Sequence, residues 1–219
     1  MSRWRTPALV ALWTQVVSLF AVSAYALWKG SFGFGAAISA AEAFLAGLVM
    51  VWWTLLYARL TQAQTVPPTD GVLRALQLVF PGLTALRAAL WLMTLLALLS
   101  GAGAEASPVA LTALVTVWGG AVVASNAVYG ALVRLVTQPS DPLQRQRLLD
   151  WLNVAAALSL GMGVLNVVPI AGFSSPPVLH TQLVYGLVAA VDVLATVLAR
   201  QALRAAPVPA PSDQGTAPR

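Results

Sequence analysis

The chain has 219 residues, 59% hydrophobic and only 9% charged, with a net charge of +5. A soluble domain carries about 25% charged residues, so this composition excludes a water-facing globular surface. It also excludes cysteine chemistry, because there is no Cys, and a histidine-rich metal or haem site, because His180 is the sole His.

Two long stretches contain no Asp, Glu, Lys or Arg: twenty-eight residues from Ala106 to Val133 and forty-one from Trp151 to Val191. Either exceeds the ~20 residues a helix needs to cross hydrocarbon. The expected fold is therefore all-α, a polytopic transmembrane bundle of six helices occupying residues 1–205. In chain order the spans fall at about 7–28, 34–58, 76–100, 108–133, 149–171 and 178–200. Turn-forming material divides them: Lys29-Gly30-Ser31, Pro67 to Gly71, Ser100 to Gly103, Pro139 to Pro142, and Gly172 to Pro177. The third span carries Pro81-Gly82, which admits two readings. Either one helix kinks there, or Val72–Phe80 is a separate segment along the inner surface. The Pro-interleaved stretch 206–219 reads as a disordered cytoplasmic tail.

Arginine placement sets the expected orientation. Arg3 and Arg5, Arg59 and Arg74, Arg134, Arg145 and Arg147, then Arg200, Arg204 and Arg219 all fall on one side, against Lys29 on the other. Both termini are expected in the cytoplasm, which agrees with an even helix number. Arg3, Arg5 and Ala24-Tyr25-Ala26 resemble a signal peptide, but its removal would leave five spans and spoil the arginine pattern, so the first helix is expected to remain. Brief loops and the lack of a glycosylation sequon point to a prokaryotic inner membrane. The basic residues are dispersed between apolar segments, which argues against nucleic acid as a partner. The expected surroundings are the lipid bilayer and a membrane protein partner or second copy.

Helices in lipid associate through small residues and polar contacts. Ser39, Ala43 and Gly47 form one small stripe, Gly119, Gly120 and Ala124 another, and Ala157, Ser159, Gly161 and Gly163 a third. Trp28 and Trp151 suit an interfacial belt, while Trp52, Trp53, Trp91 and Trp118 lie deeper. Spans two, four and six end on similar motifs around Arg59, Arg134 and Arg200. Aligned on these, Asn126 and Asp192 stand at the same depth, which hints at a threefold hairpin repeat.

Charges at membrane depth cost roughly 2.5–3.5 kcal/mol on insertion scales, so Glu42, Arg87 and Asp192 are the candidates for function. Glu42 and Arg87 differ in depth by roughly 6 Å at 1.5 Å per residue, within reach of an Arg side chain. They either pair, or Arg87 snorkels inward while Glu42 is neutral. Asp192 shares its expected depth with Gln15, Asn126 and Asn153. The four either line an inward-facing cavity for a cation, proton or polar solute, or serve as interhelical hydrogen bonds. His180, Glu105 and Asp150 read as interfacial residues.

No catalytic, cofactor or metal motif stands out. A Ser nucleophile beside His180, such as Ser31, Ser100 or Ser107, lacks any accompanying motif. Two functional classes remain: a small permease or substrate-binding membrane subunit for a solute or ion, and a non-transporting assembly or partner subunit. A cavity ending at Asp192 or Glu42 would favour the first, and a solid core with a small-residue groove the second.

Overall fold

The computed structural model describes residues 3–29, 34–100, 108–167 and 179–207. These residues form six helices: α1 (Arg5–Lys29), α2 (Phe34–Leu60), α3 (Gly71–Leu99), α4 (Pro108–Thr137), α5 (Pro142–Val167) and α6 (Leu179–Ala205). All six are long and apolar enough to cross a membrane. Each packs against its neighbour in the chain, and α6 returns to α1, so the helices make a closed ring with an additional α2–α4 contact. The starts of α1, α3 and α5 and the ends of α2, α4 and α6 gather at one end, the arginine-bearing end. The disordered tail expected at 206–219 lies almost wholly outside the described residues.

Most helices extend past the expected spans at the arginine-bearing end, because capping residues there hold extra turns. At the start of α5, the Asp141 carboxylate accepts from the backbone N–H of Leu143 at 2.8 Å, and Pro142 occupies the first helical position. At the end of α6, Arg145 donates to the carbonyls of Leu203, at 2.5 Å, and Ala206. The Leu203 carbonyl also accepts from the Ala206 N–H at 3.2 Å, and a guanidinium suits the negative end of the helix dipole. One side chain thus ties the start of α5 to the finish of α6.

The α2–α3 turn is built as tightly. Gln64 N–H bonds the Arg59 carbonyl and Ala63 N–H the Leu60 carbonyl, the paired pattern that closes a helix through a left-handed residue. That residue is Ala63, with φ at 56°. Asp70 then caps α3, accepting from the N–H groups of Val72 at 2.9 Å and Leu73 at 3.1 Å, and its other oxygen accepts from Arg59 at 2.5 Å.

α3 runs unbroken through Pro81, which counts against a separate segment before it. Leu73, Leu76 and Phe80 are buried, so Val72–Phe80 belongs to the bundle. Pro81 leaves the Gln77 carbonyl without its usual donor, but Gln77, Leu78, Pro81 and Gly82 all face outward. The missing bond therefore lies on the outer side of the helix.

The fully buried side chains concentrate at the arginine-bearing end. Leu12, Leu56, Tyr57, Leu73, Leu76, Leu132, Leu135, Leu148 and Leu203 form one cluster. Tyr57 crosses it to donate to the Ala199 carbonyl at 2.5 Å, and its ring stacks on Trp53. Phe80 stacks on Tyr129 between α3 and α4. In the opposite half, the buried residues among those described include Ser23, Ala26, Ala40, Ala43 and Ala46, from α1 and α2.

Small residues make the remaining contacts. A Cβ on Gly47 would meet the Phe20 ring at 2.9 Å, one on Gly120 would meet Leu158 at 3.1 Å, and one on Gly161 would meet Val117 at 3.1 Å. Ser23 donates to the Ala40 carbonyl at 2.8 Å. Gly119 lies under Trp91, whose indole N–H bonds the Val115 carbonyl at 2.9 Å. Ser39, by contrast, faces outward, so the first stripe acts through Ala40, Ala43 and Gly47. Trp28 is 74% exposed.

Two predictions follow from the α2–α3 turn. Ala63→Gly removes a left-handed strain and should raise stability by about 1 kcal/mol, seen as a higher melting temperature in detergent. Arg59 and the α3 N–H groups hold the Asp70 carboxyl below the usual carboxylate range. Its contribution is therefore present above that range and disappears as pH falls through the lowered value. Asp70→Ala should cost about 1 kcal/mol at neutral pH, and Asp70→Asn less, with the acid dependence flattened in both.

Candidate functional site

Two polar groupings occupy mid-helix positions. The first joins α2 to α3: Arg87 Nε donates to Glu42 Oε1 at 2.5 Å. The side chains are about a quarter exposed, 25% for Arg87 and 26% for Glu42, so the pair is only partly withdrawn from its surroundings. Glu42 sits beside buried Ala43 and one turn before buried Ala46. Arg87 lies one turn beyond buried Leu83 on α3. Of the two alternatives for these residues, the structure places them in contact.

The second grouping joins α1, α5 and α6 around Asp192. Gln15 Nε2 donates to Asp192 Oδ1 and Ser159 Oγ donates to Oδ2. Both carboxylate oxygens are thus held by neutral donors. Among the described residues, Gln15 Oε1 is buried without a hydrogen-bond partner, leaving the cluster with one acceptor too many. By helix rise, Asp192 stands about 12 Å from Arg200 along α6.

Asn126 and Asn153 do not join this cluster, which corrects the expected four-helix layer. Both are exposed. Asn126 lies on nearly the opposite side of α4 from buried Ala124, Ala131 and Leu135, and Asn153 lies to the side of the line of buried Leu148 and Leu152. Equal depth did not bring them together, because helical phase turned them outward. The same finding breaks the proposed repeat at its polar position: Asp192 faces inward where its counterpart Asn126 faces out.

Ser159 is the member that sequence reasoning assigned only to packing. Its signal was present, since it lies seven residues after Leu152, on the same side of α5.

At the far end of the bundle, the Tyr25 hydroxyl shares a hydrogen bond with Thr181 Oγ1 at 2.9 Å, and the Tyr25 ring meets His180 and Tyr185 edge-on. His180 itself is exposed. Asp150 accepts from Gln146 at the surface. Glu105, Ser31 and Ser107 lie outside the described residues, while Ser100 bonds the Ala97 carbonyl.

Beside the Asp192 cluster, α5 and α6 enclose a groove of about 560 Å³. Its walls are Leu160, Gly163, Val164, Ala189 and Val193, and Ser159 is part of the lining. A shallower hollow of about 500 Å³ runs along α4 past Thr112 and Thr116.

Removing one partner of a withdrawn ion pair leaves the other uncompensated, at about 3–5 kcal/mol when burial is complete. With a quarter of each side chain exposed, Glu42→Ala or Arg87→Ala should cost nearer 2 kcal/mol. The exchanged double variant, Glu42→Arg with Arg87→Glu, should recover most of it in detergent melting; no recovery would mean that the contact contributes nothing. No protein-family model, curated protein or solved structure matches this chain, so what the site can do rests on its own chemistry.

Proposed function

We propose that the chain is a multi-pass integral membrane protein of a prokaryotic inner membrane, with both termini cytoplasmic, and that it acts as a small permease or substrate-binding membrane subunit. Six apolar helices of spanning length support the membrane setting, and the one-sided arginines support the orientation. A single observation carries the permease reading: Asp192 sits mid-helix, held among the described residues by hydrogen bonds from Gln15 and Ser159. Interhelical packing needs no carboxyl for such contacts, since amides and hydroxyls serve as well. A carboxyl at that depth, with an unused acceptor beside it, suits a group that binds and releases a positively charged or proton-bearing solute.

A second reading draws on α4. Asn126 and Thr116 share its exposed side with the hollow near Thr112. An amide turned toward hydrocarbon is unfavourable, so a partner helix or second copy would cover it. That supports an assembly or partner subunit and is compatible with a binding centre at Asp192.

The test is a thermal-stability screen of ions, amines and polar metabolites on the purified protein in detergent. A ligand at about a hundred times its Kd should stabilise the wild type by about 2.7 kcal/mol and leave Asp192→Asn unmoved. If Asp192→Asn matches the wild type in both melting temperature and ligand response, the carboxyl has no binding role and the partner reading takes its place.

A further inference from the structure

We propose that the α5–α6 groove and the Asp192 carboxylate behind it form a binding site for a lipophilic cation, an apolar body carrying one positive charge. The inference rests on reading Asp192 as a binding centre and goes beyond it by naming the ligand class.

Three observations converge. The first is shape and lining. The groove holds about 560 Å³, within the ~300–1,000 Å³ range of small-molecule pockets. Its walls are apolar, formed by residues such as Leu160, Val164 and Val193. It opens on the outer side of the helix pair, where Leu160, Leu187 and Leu194 are exposed, so a ligand reaches it from hydrocarbon. A body that enters that way must itself be largely apolar.

The second is the route to charge. Ser159 is part of the groove lining, and its hydroxyl donates to Asp192 Oδ2. A ligand in the groove is therefore one side chain away from the carboxylate.

The third is an imbalance in charge and hydrogen bonding. Arg87 is committed to Glu42, so with both carboxyls ionised the mid-helix set Glu42, Arg87 and Asp192 carries one net negative charge. Gln15 Oε1 adds a buried acceptor without a donor. Both features call for a positive partner. A bare inorganic cation fits poorly, because hard cations take about six or more oxygen ligands. Among the described residues, no group of three or more His, Cys, Asp or Glu could hold a metal. An organic cation brings its own apolar shell and needs only the field of Asp192.

The experiment measures equilibrium binding of tetraphenylphosphonium to the full-length protein purified in detergent, with tetraphenylborate as the probe of like shape and opposite charge. We expect saturable binding of the cation and none of the anion. Asp192→Asn should weaken cation binding by about a hundredfold, as loss of a desolvated charge partner does, and Asp192→Glu should retain most of it. Ala190→Phe, at an exposed position in the groove lining, should also weaken it by obstructing the groove, so the test does not depend on the Asp192 variants folding. Equal binding of both probes would show that the groove takes any apolar body, a lipid acyl chain included, and would overturn the proposal. So would cation binding that both Asp192→Asn and Ala190→Phe leave intact. If the phosphonium fails to bind while another solute stabilises the protein through Asp192, the site proposed here is wrong and the permease reading stands. If it binds as expected but never crosses proteoliposome membranes, the site stands and the permease reading falls.

Discussion

Helices surrounded by hydrocarbon gain nothing from hiding leucine from one another, so close approach and hydrogen bonds have to fix their places. In the proposed membrane setting, this chain meets that constraint differently at its two ends. At the arginine-bearing end, bulky side chains from all six helices interlock, and polar atoms complete the closure. Tyr57 reaches from α2 to the Ala199 carbonyl, Arg145 bonds the last carbonyls of α6, and Asp70 with Arg59 fastens α2 to α3. Toward the other end, the contacts are between glycines, alanines and a few hydroxyls. The structure is therefore anchored at one end and lightly fastened at the other.

This asymmetry gives the polar groups their setting. Asp192 lies just beyond the dense cluster, one turn from buried Ala195 and Thr196, where the tight packing gives way. Arg87 lies near the same transition on α3, and its partner Glu42 lies farther toward the opposite end on α2. A carboxyl placed deeper in the cluster would be sealed off, and one placed nearer the far end would be an ordinary surface group. At the boundary it is held firmly by neighbours and remains close to a groove that a ligand can enter.

Much of this was legible in the residues. Apolar runs and turn chemistry located all six helices, because span length is set by bilayer thickness rather than by tertiary detail. Helix ends were less legible. α5 begins at Pro142 rather than near 149, since an Asp141 cap and the bond from Arg145 to α6 stabilise turns that hydropathy alone assigns to a loop. Charge and depth offered a Glu42–Arg87 contact as one of two readings, which the structure favours, but depth alone wrongly gathered Asn126 and Asn153 around Asp192. Rotational phase was the missing coordinate. Gln15 follows Ala8 and Ala11 at steps of seven and four, Ser159 follows Leu152 at seven, and Asp192 precedes Thr196 and Ala199 at four and seven. All three lie in line with residues that prove buried, whereas Asn126 is out of line with Ala124 and Ala131.

The pairing of Arg87 with Glu42 also bears on how such a chain enters a bilayer. Helices emerge in sequence order, and a lone guanidinium is among the least welcome passengers in hydrocarbon. Here α2 arrives first, so its carboxyl is already waiting when α3 brings the arginine, and the two can cross as a neutral hairpin. Asp192 is likewise preceded by Gln15 and Ser159. Arg87 and Asp192 thus each find a companion upstream, and a circular permutant that delivered α3 before α2 would expose an unaccompanied cation during synthesis.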